Sequence, residues 1–585
     1  MVLSTVDWII LAAYFALTFG VAWMLRGRAQ RSLTDFFVSG RGVPWWIAGT
    51  SMVATTFAAD TPLTVTGLTA QFGIAGNWLW WSLLLSGMLT VFFFARLWRR
   101  AGVLTDVELI ELRYAGRPAA FLRGFRALYL GLLVNGLIMG WVNLGMVKVF
   151  TITLHLDKKE AVFACLLIIA LYTTLSGLWG VLITDLLQFI LMIAMAITLA
   201  WFAVSAAGGL GALRTKLLAL DEAQTGSGSL LAFFPELHSA WMPLTAFLVF
   251  VGVIWWASWY PGAEPGGGGY VAQRIFCAKD EKHSLWATLW FNIAHYALRP
   301  WPWILVGLAS VVLYPNLKDK EAGYVQVMVD HLPASLRGLM LASFLAAYMS
   351  TLSTHLNWGA SYMVNDFYRR FLRPHASEPH LLRTAQVATL LLMLLGAGVT
   401  YLLETIRGGW ELLLLVSAGT GAVYILRWYW WRISAWSEIS AMTAAFLGAM
   451  ALTWQKPFTG GEQIVFAKNM LLNTVLCTVV WLAVTYLTRP EPLAHLESFY
   501  RRVRPAAWGW RAVAATAPDV PAVSSGWYNL RAWALGCALV YLVLFSTGKL
   551  LLGFWSSGLL LAAGAVAAAV LLYLDFARRG WESFG

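Results

Sequence analysis

Charge is the first thing this sequence is short of. Asp, Glu, Lys and Arg make up 12% of its 585 residues, about half of what a soluble domain of ordinary composition carries. Hydrophobic residues make up 59% and mean hydropathy is +0.68, which excludes a chain folded wholly in water. Cysteine is also scarce. Cys165, Cys277, Cys477 and Cys537 lie far apart with no CxxC or Cys/His cluster, so neither a disulfide framework nor a structural metal site is indicated. P-loop and ATPase signatures are missing, as is any His/Asp/Ser constellation; this argues against a primary pump and against a membrane enzyme. Only 207–240 and 489–527 are long connections, and neither has room for a soluble catalytic or signalling domain. The first apolar run lacks a basic n-region and an A-x-A site, so it reads as a retained helix.

What the sequence has in abundance is apolar runs of about 20 residues, the length that crosses a bilayer core of about 30 Å. They fall near 7–25, 43–69, 76–98, 121–153, 160–178, 180–206, 241–275, 285–314, 335–365, 382–404, 409–431, 435–454, 467–488, 528–547 and 553–576. The expectation is an all-α polytopic membrane protein with about 15 transmembrane helices. The net charge of +12 sits in short tracts between the runs, among them "NDFYRRFLRPH", "RWYWWR" and "YRRVRP". Membrane topology explains such tracts better than nucleic acid does. If every run spans once, all the tracts fall on one side. That places the chain in the cell (inner) membrane with its N-terminus outside and its C-terminus in the cytoplasm. The lipid bilayer is then the one extended partner, with no nucleic acid and no obligate protein partner implied. "LTDVELIELRYAG" (104–116) reads as a short helix on the cytoplasmic surface.

Three interruptions carry the chemistry. In "SMVATTFAADTPLTV" (51–65), Asp60 precedes Thr61 and Pro62 inside an apolar run. An ionised Asp at the bilayer centre costs about 2.5–3.5 kcal/mol on insertion scales, and Pro62 disfavours helix at Thr61. The helix is expected to unwind at about 57–62 and expose carbonyl oxygens, which requires a polar cavity or burial in protein. The simpler alternative is a proline kink with Asp60 bonded to a neighbouring helix. A second break is expected in "WWASWYPGAEPGGGGYVAQR" (255–274), where prolines, glycines and Glu264 cannot continue a regular helix; a plain loop between two short helices is the alternative. Paired broken helices, one in each half of a transporter, point to a midplane site. The third element is "GLMLASFLAAYMSTLSTHLNWGASYMVNDFY" (338–368), where Ser350, Thr351, Ser353 and Thr354 cluster mid-helix. Hydroxyls are hard donors suited to a small hard cation, although mid-membrane Ser and Thr usually bond their own backbone.

The ordered set "DFFVSGRGVPWWIAGTSMVA" (35–54), "SGLWGVLITDLLQ" (176–188), "YVAQRIFCAKD" (270–280) and "GLMLASFLAAYMSTLSTHLN" resembles the sodium:solute symporter family, over roughly residues 1 to 430. That resemblance implies a LeuT-type 5+5 inverted-repeat core with one extra N-terminal helix: 1–34 as that helix, 35–432 as the transport core, and 433–585 as C-terminal transmembrane helices with a cytoplasmic loop near 489–527. It implies a sodium-coupled secondary symporter that imports a small polar solute by alternating access, with Na+ as the coupling ion and no other metal. Sodium would take the carbonyls of Ala54, Phe57 and Ala347 and the hydroxyls of Ser350 and Thr351. Asp60 and Asp185 match positions tied to ion coupling. Substrate contacts would come from Thr56, Thr61, Asn77, Trp78, Ser258, Trp259, Tyr260, Glu264, Trp410 and Glu411. The segment "GAEPGGGG" is about three residues longer than in the sugar and proline members, and the C-terminus holds about one more helix. His295 and Arg299, in "NIAHYALRPWPW", either line the cavity or anchor a helix end by snorkelling or pairing. Acidic Asp60, Glu264 and Glu411 tilt the solute towards an amino acid such as proline or another zwitterion, with a sugar second. A proton-coupled transporter of the same fold and a membrane sensor are the competing functions.

Overall fold

The computed structural model describes residues 3–29, 41–173, 178–223, 229–236, 238, 241–257, 264–521 and 526–579. Ser258, Trp259 and Tyr260 therefore lie outside the described residues. Among those described, the chain is helical or irregular, and its one β-type pairing is an isolated bridge between Val43 and Ala278.

Each apolar run carries helix. We label them α1 (Thr5–Ala29), α2 (Trp45–Thr56), α3 (Asp60–Phe72), α4 (Ile74–Ala101), α5 (Gly116–Leu154), α6 (Lys158–Thr173) and α7 (Leu178–Ala206). The second half continues with α8 (Leu244–Gly252), α9 (Gly269–Cys277), α10 (Glu281–Leu313), α11 (Leu336–Leu372), α12 (Glu378–Leu402), α13 (Ile406–Ser417) and α14 (Gly421–Tyr429). Two hairpins follow: α15 (Ala435–Gln455) with α16 (Glu462–Leu487), and α17 (Gly526–Leu551) with α18 (Trp555–Arg579). Ten helices among the described residues are long and apolar enough to cross a membrane unaided, and the pair α13/α14, bent by 47°, makes an eleventh. The other four of the fifteen expected runs are α1, α2/α3, α6 and α8/α9, of which α2/α3 and α8/α9 are broken. Breaks are tolerated there because neighbouring helices satisfy the freed backbone groups.

The two interrupted runs pack on each other through α2 and α9. α2 ends at Thr56 and α3 starts at Asp60, a break of 57–59 that is tighter than the expected 57–62. Pro62 falls in the first turn of α3, where its missing N–H has no intrahelical acceptor to lose. The proline thus starts a helix here and kinks none. In the other half, the glycine run turns left-handed at Gly266, Gly267 and Gly269, with φ of 92°, 76° and 49°, before α9 begins. The Val43–Ala278 bridge, with Val43 N–H on the Cys277 carbonyl at 3.0 Å and Lys279 N–H on Val43 at 3.0 Å, ties the start of one broken helix to the end of the other.

α2 lies between α7, α10 and α11; α3 lies along α10; and α1 packs on α7 and α11. Asp7 of α1 accepts from the amides of Ser335 (2.9 Å) and Gly338 (2.8 Å), so it satisfies orphan donors at the start of α11. The basic tracts meet at one end of the molecule. There Arg96 and Arg100 reach Glu281, Arg123 and Arg370 reach Glu111, and Arg113 donates to the Arg427 carbonyl. The segment after α16 is no open loop: its helix Leu493–Val503 and the buried Trp510 pack on that same end, where Trp510 donates to the Trp428 carbonyl at 2.7 Å. The opposite end carries Lys148, Asp319, Glu321 and Arg407.

Candidate functional site

The α2/α3 break is surrounded by polar groups with almost no solvent exposure. Thr351 of α11 donates to the Thr55 carbonyl at 2.8 Å, across to the last turn of α2. Ser350, its neighbour, donates to Asp185 of α7 at 2.5 Å, and Ser51 of α2 donates to the other oxygen of the same carboxylate at 2.6 Å. Three helices that are distant in sequence are thus joined by one carboxylate and three hydroxyls. A hydroxyl that gives its proton away keeps lone pairs for a cation, so this donor set fits a small hard ion.

α9 contributes a residue to which the sequence gave no role. Arg274 is buried; it donates to Thr354 at 3.0 Å and to Ser51 at 3.3 Å, and lies 3.9 Å from Asp185. Gln273 holds its other side at 2.9 Å. Ser51, Thr55 and Arg274 are what the sequence reasoning missed. The available signal was spacing: Ser51 and Thr55 stand four apart on α2, as Ser350 and Thr354 do on α11, so each pair shares a helix face.

Thr56 closes α2 on the opposite side. Its hydroxyl bonds the Val53 carbonyl at 2.9 Å and meets His295 Nδ1 at 3.1 Å, while Arg299 donates to it at 3.0 Å. Arg299 also donates to the Val53 carbonyl at 3.2 Å. The wide turn Ala294–Leu298 and Pro300 interrupt α10 where these two residues sit. His295 and Arg299 are both fully buried, so they pair with α2; helix-end snorkelling is ruled out. Asp60, the first residue of α3, accepts from Trp410 Nε1 at 3.2 Å through one oxygen. Its second oxygen is buried with no hydrogen-bond partner among the described residues, and Thr61 folds back onto the Thr56 carbonyl at 3.3 Å. Gly145 of α5 lets this helix touch the break: a Cβ there would stand 2.9 Å from the Asp60 backbone.

The remaining residues expected to meet substrate are placed apart from Asp60. Asn77 donates to Thr69 at 3.1 Å and accepts from Trp80 at 2.9 Å. Trp78 donates to the Phe233 carbonyl at 2.9 Å and packs among Phe247 and Tyr541. Glu264 belongs to another buried cluster, 3.0 Å from Arg126 and 3.6 Å from Arg427, both of which also reach Glu438. Glu411 pairs with Arg407 at 2.7 Å and lines a cavity of about 1220 Å³ at the end opposite the basic tracts, together with Thr64, Gln71 and Glu321. Thr64 bonds the Asp60 carbonyl at 3.0 Å, so this vestibule ends one helical turn from Asp60 and Trp410.

Comparison with known proteins bears on the family and the fold. The model of the family described as "Sodium:solute symporter family" matches residues 36–448. A sodium/glucose cotransporter of Vibrio parahaemolyticus is 23% identical, over 83% of this chain and 91% of its own. A sodium/myo-inositol cotransporter 2 of Oryctolagus cuniculus is 26% identical, over 85% and 79%. In fold, the chain is similar to a substrate-bound, outward-open Na+-coupled sialic acid symporter, with a TM-score of 0.64, 17% identity, and coverage of 84% of this chain and 99% of that one.

Proposed function

The chain belongs to the sodium:solute symporter family and performs sodium-coupled symport of a small solute; from that premise we propose where the ion and the solute sit. Sodium lies between α2 and α11, on the carbonyls of Ala54, Phe57 and Ala347 and the hydroxyls of Ser350 and Thr351. Asp185 beside it orients Ser350 and supplies the negative charge. The solute lies on the α3 side of the break, between Asp60, Trp410 and Thr56, and reaches it through the vestibule lined by Glu411. An ion that bridges α2 and α11 fixes the end of α2, and the start of α3 follows from it. That dependence is a route by which sodium favours the solute-competent state.

The observation that carries the solute class is the buried Asp60 oxygen with no hydrogen-bond partner among the described residues. A buried carboxylate oxygen lacking a donor costs energy that a solute can remove by supplying one. A zwitterion supplies an ammonium and its compensating charge, so an amino acid such as proline is the first assignment. A sugar or polyol, which supplies hydroxyls, is the second; the glucose and inositol cotransporters among the relatives favour it. With the basic end in the cytoplasm, one inward sodium ion yields about 2.3 kcal/mol at 100 mV and about 1.4 kcal/mol more from a tenfold gradient. Together these sustain roughly several-hundredfold accumulation, so one ion per solute suffices.

Proteoliposomes with imposed gradients and a panel of amino acids, sugars and inositols test this. Accumulation is expected to require inward sodium. Asp60→Asn is expected to cost a zwitterion about tenfold or more in apparent affinity, and a sugar only a few-fold, because a charged hydrogen bond is worth more than a neutral one. Accumulation that ignores sodium and follows a proton gradient would overturn the ion assignment. A sugar that alone accumulates would replace the first solute assignment by the second.

A further inference from the structure

The basic end holds a groove that the transport cycle does not use. Its volume is about 180 Å³, and its walls are α4, α14, the segment 504–508 and the first turn of α17. Leu89, Phe93 and Leu97 of α4 and Ile425 and Leu426 of α14 give it apolar walls, and Arg96, Arg100 and Arg504 line it as well. Arg96 and Arg100 share a single carboxylate, Glu281, at 3.4 and 2.9 Å. Arg504 is exposed and makes no ion pair among the described residues. Among the described residues, Arg100 and Arg504 are set against one carboxylate, Glu281, which Arg96 also reaches, so the groove is positively charged.

The combination restricts the occupant. A water-soluble anion would use the arginines but gain nothing from the phenylalanine and leucine walls, and an uncharged apolar molecule would leave the arginines idle. An amphipathic anion matches both. Trp508, 59% exposed and stacked on Tyr429 at 6.0 Å, lines the groove, and Trp527, 73% exposed in the first turn of α17, lies beside it. Exposed tryptophans on transmembrane helices gather at the headgroup level. The basic end belongs on the cytoplasmic side by the positive-inside rule, and the cytoplasmic leaflet carries the anionic lipids. The cavity at the opposite end is lined by Lys148, Lys318, Lys320, Arg407 and Lys456 against Asp319, Glu321, Glu404, Glu411 and Glu462, so charge is balanced there among the described residues.

We propose that this groove is a binding site for an anionic glycerophospholipid, its phosphate held by Arg100 and Arg504 and an acyl chain lying against Phe93 and Ile425. Because the groove is lined by α4 and α14 together with Arg504, Ala506, Trp508, Gly526 and Asn529, the lipid fastens the C-terminal helices to the segment that carries the transport site.

Native mass spectrometry and thermal unfolding of the purified chain, titrated with phosphatidylglycerol or phosphatidylcholine, decide the matter. Phosphatidylglycerol is expected to stay bound and raise the unfolding temperature, and phosphatidylcholine to do neither. Arg100→Gln/Arg504→Gln is expected to weaken phosphatidylglycerol about thirtyfold, the effect of two interfacial cations. Arg504→Gln alone, at an exposed position, is expected to weaken it about fivefold, and Arg504→Lys to retain binding. Soluble glycerol 3-phosphate is expected not to compete. Equal binding of the two lipids, an unchanged double variant, or full competition by glycerol 3-phosphate would each overturn the proposal.

Discussion

Two clusters of buried charge lie within this chain, and they are built differently. Around Arg126 and Arg427 each cation faces two carboxylates, Glu264 and Glu438, at 3.0 to 3.6 Å, with Tyr114 donating to Glu438 at 2.7 Å. Guanidinium planes also lie over the rings of Tyr424 and Trp98. Two guanidinium groups face two carboxylates, a third carboxylate, Asp106, lies buried nearby and accepts from Gly269 N–H and Tyr362, and aromatic faces cover the cations. Around Asp185 a single carboxylate faces a guanidinium at 3.9 Å, and hydroxyls of Ser51 and Ser350 supply the close contacts. Burying charge costs several kcal/mol per ion unless it is fully paired. A cluster in which each cation lies within 3.6 Å of two carboxylates therefore reads as a latch, here between the glycine-rich turn, α5, α14 and α15. A carboxylate whose close contacts are hydroxyls, with its guanidinium no nearer than 3.9 Å, reads as a place where a mobile cation completes the set.

The sharpest way to break this contrast is to take one carboxylate from each cluster. Glu438→Gln leaves a buried guanidinium short of charge and is expected to lower stability by about 3–5 kcal/mol, while the remaining folded protein still responds to sodium; thermal unfolding with and without sodium reads both. Asp185→Asn is expected to show the reverse weighting. Its apparent sodium affinity falls about a hundredfold, the worth of one charge-assisted contact, measured as the sodium dependence of uptake. The smallest effect is expected outside the bilayer, at Glu111. Burial pushes its carboxyl up, but bonds from Arg370 and Arg123 outweigh this and hold it below the usual carboxylate range. A depressed folded pKa means the bridge contributes fully above the ordinary carboxylate pKa and is lost as pH falls through the lower folded value. Acidifying below about pH 4 is expected to cost under about 1 kcal/mol through this pair. Glu111→Gln should flatten that part of the stability profile.

The same contrast shows what was legible in the sequence. Helix breaks are local events, so Asp60–Thr61–Pro62 and the glycine run could be read directly, although Pro62 proved to begin α3. Ser350 and Thr351 could be read because hydroxyls clustered within one turn are conspicuous in an apolar helix. The resemblance puts Glu264, which lies in a break, with the substrate; its partners Arg126 and Arg427 come from helices far along the chain, and pairing across that distance leaves no local trace. Arg274 was hidden for the same reason. The segment after α16 looked like a loop because its helix Leu493–Val503 is short, but its apolar face, Leu496, Phe499, Tyr500 and Val503, is buried. Burial of that kind becomes visible only once the surface it packs on exists.

The most direct test of the central claim is thermal stability of the purified protein in sodium against equal potassium or choline. It would be measured for the unaltered chain, for Ser350→Ala/Thr351→Ala and for Glu438→Gln. The account predicts a sodium-specific rise in the unaltered chain, its loss in the double hydroxyl variant, and its survival in Glu438→Gln despite the lower starting stability. A sodium response that persists without both hydroxyls would contradict the placement of the ion between α2 and α11.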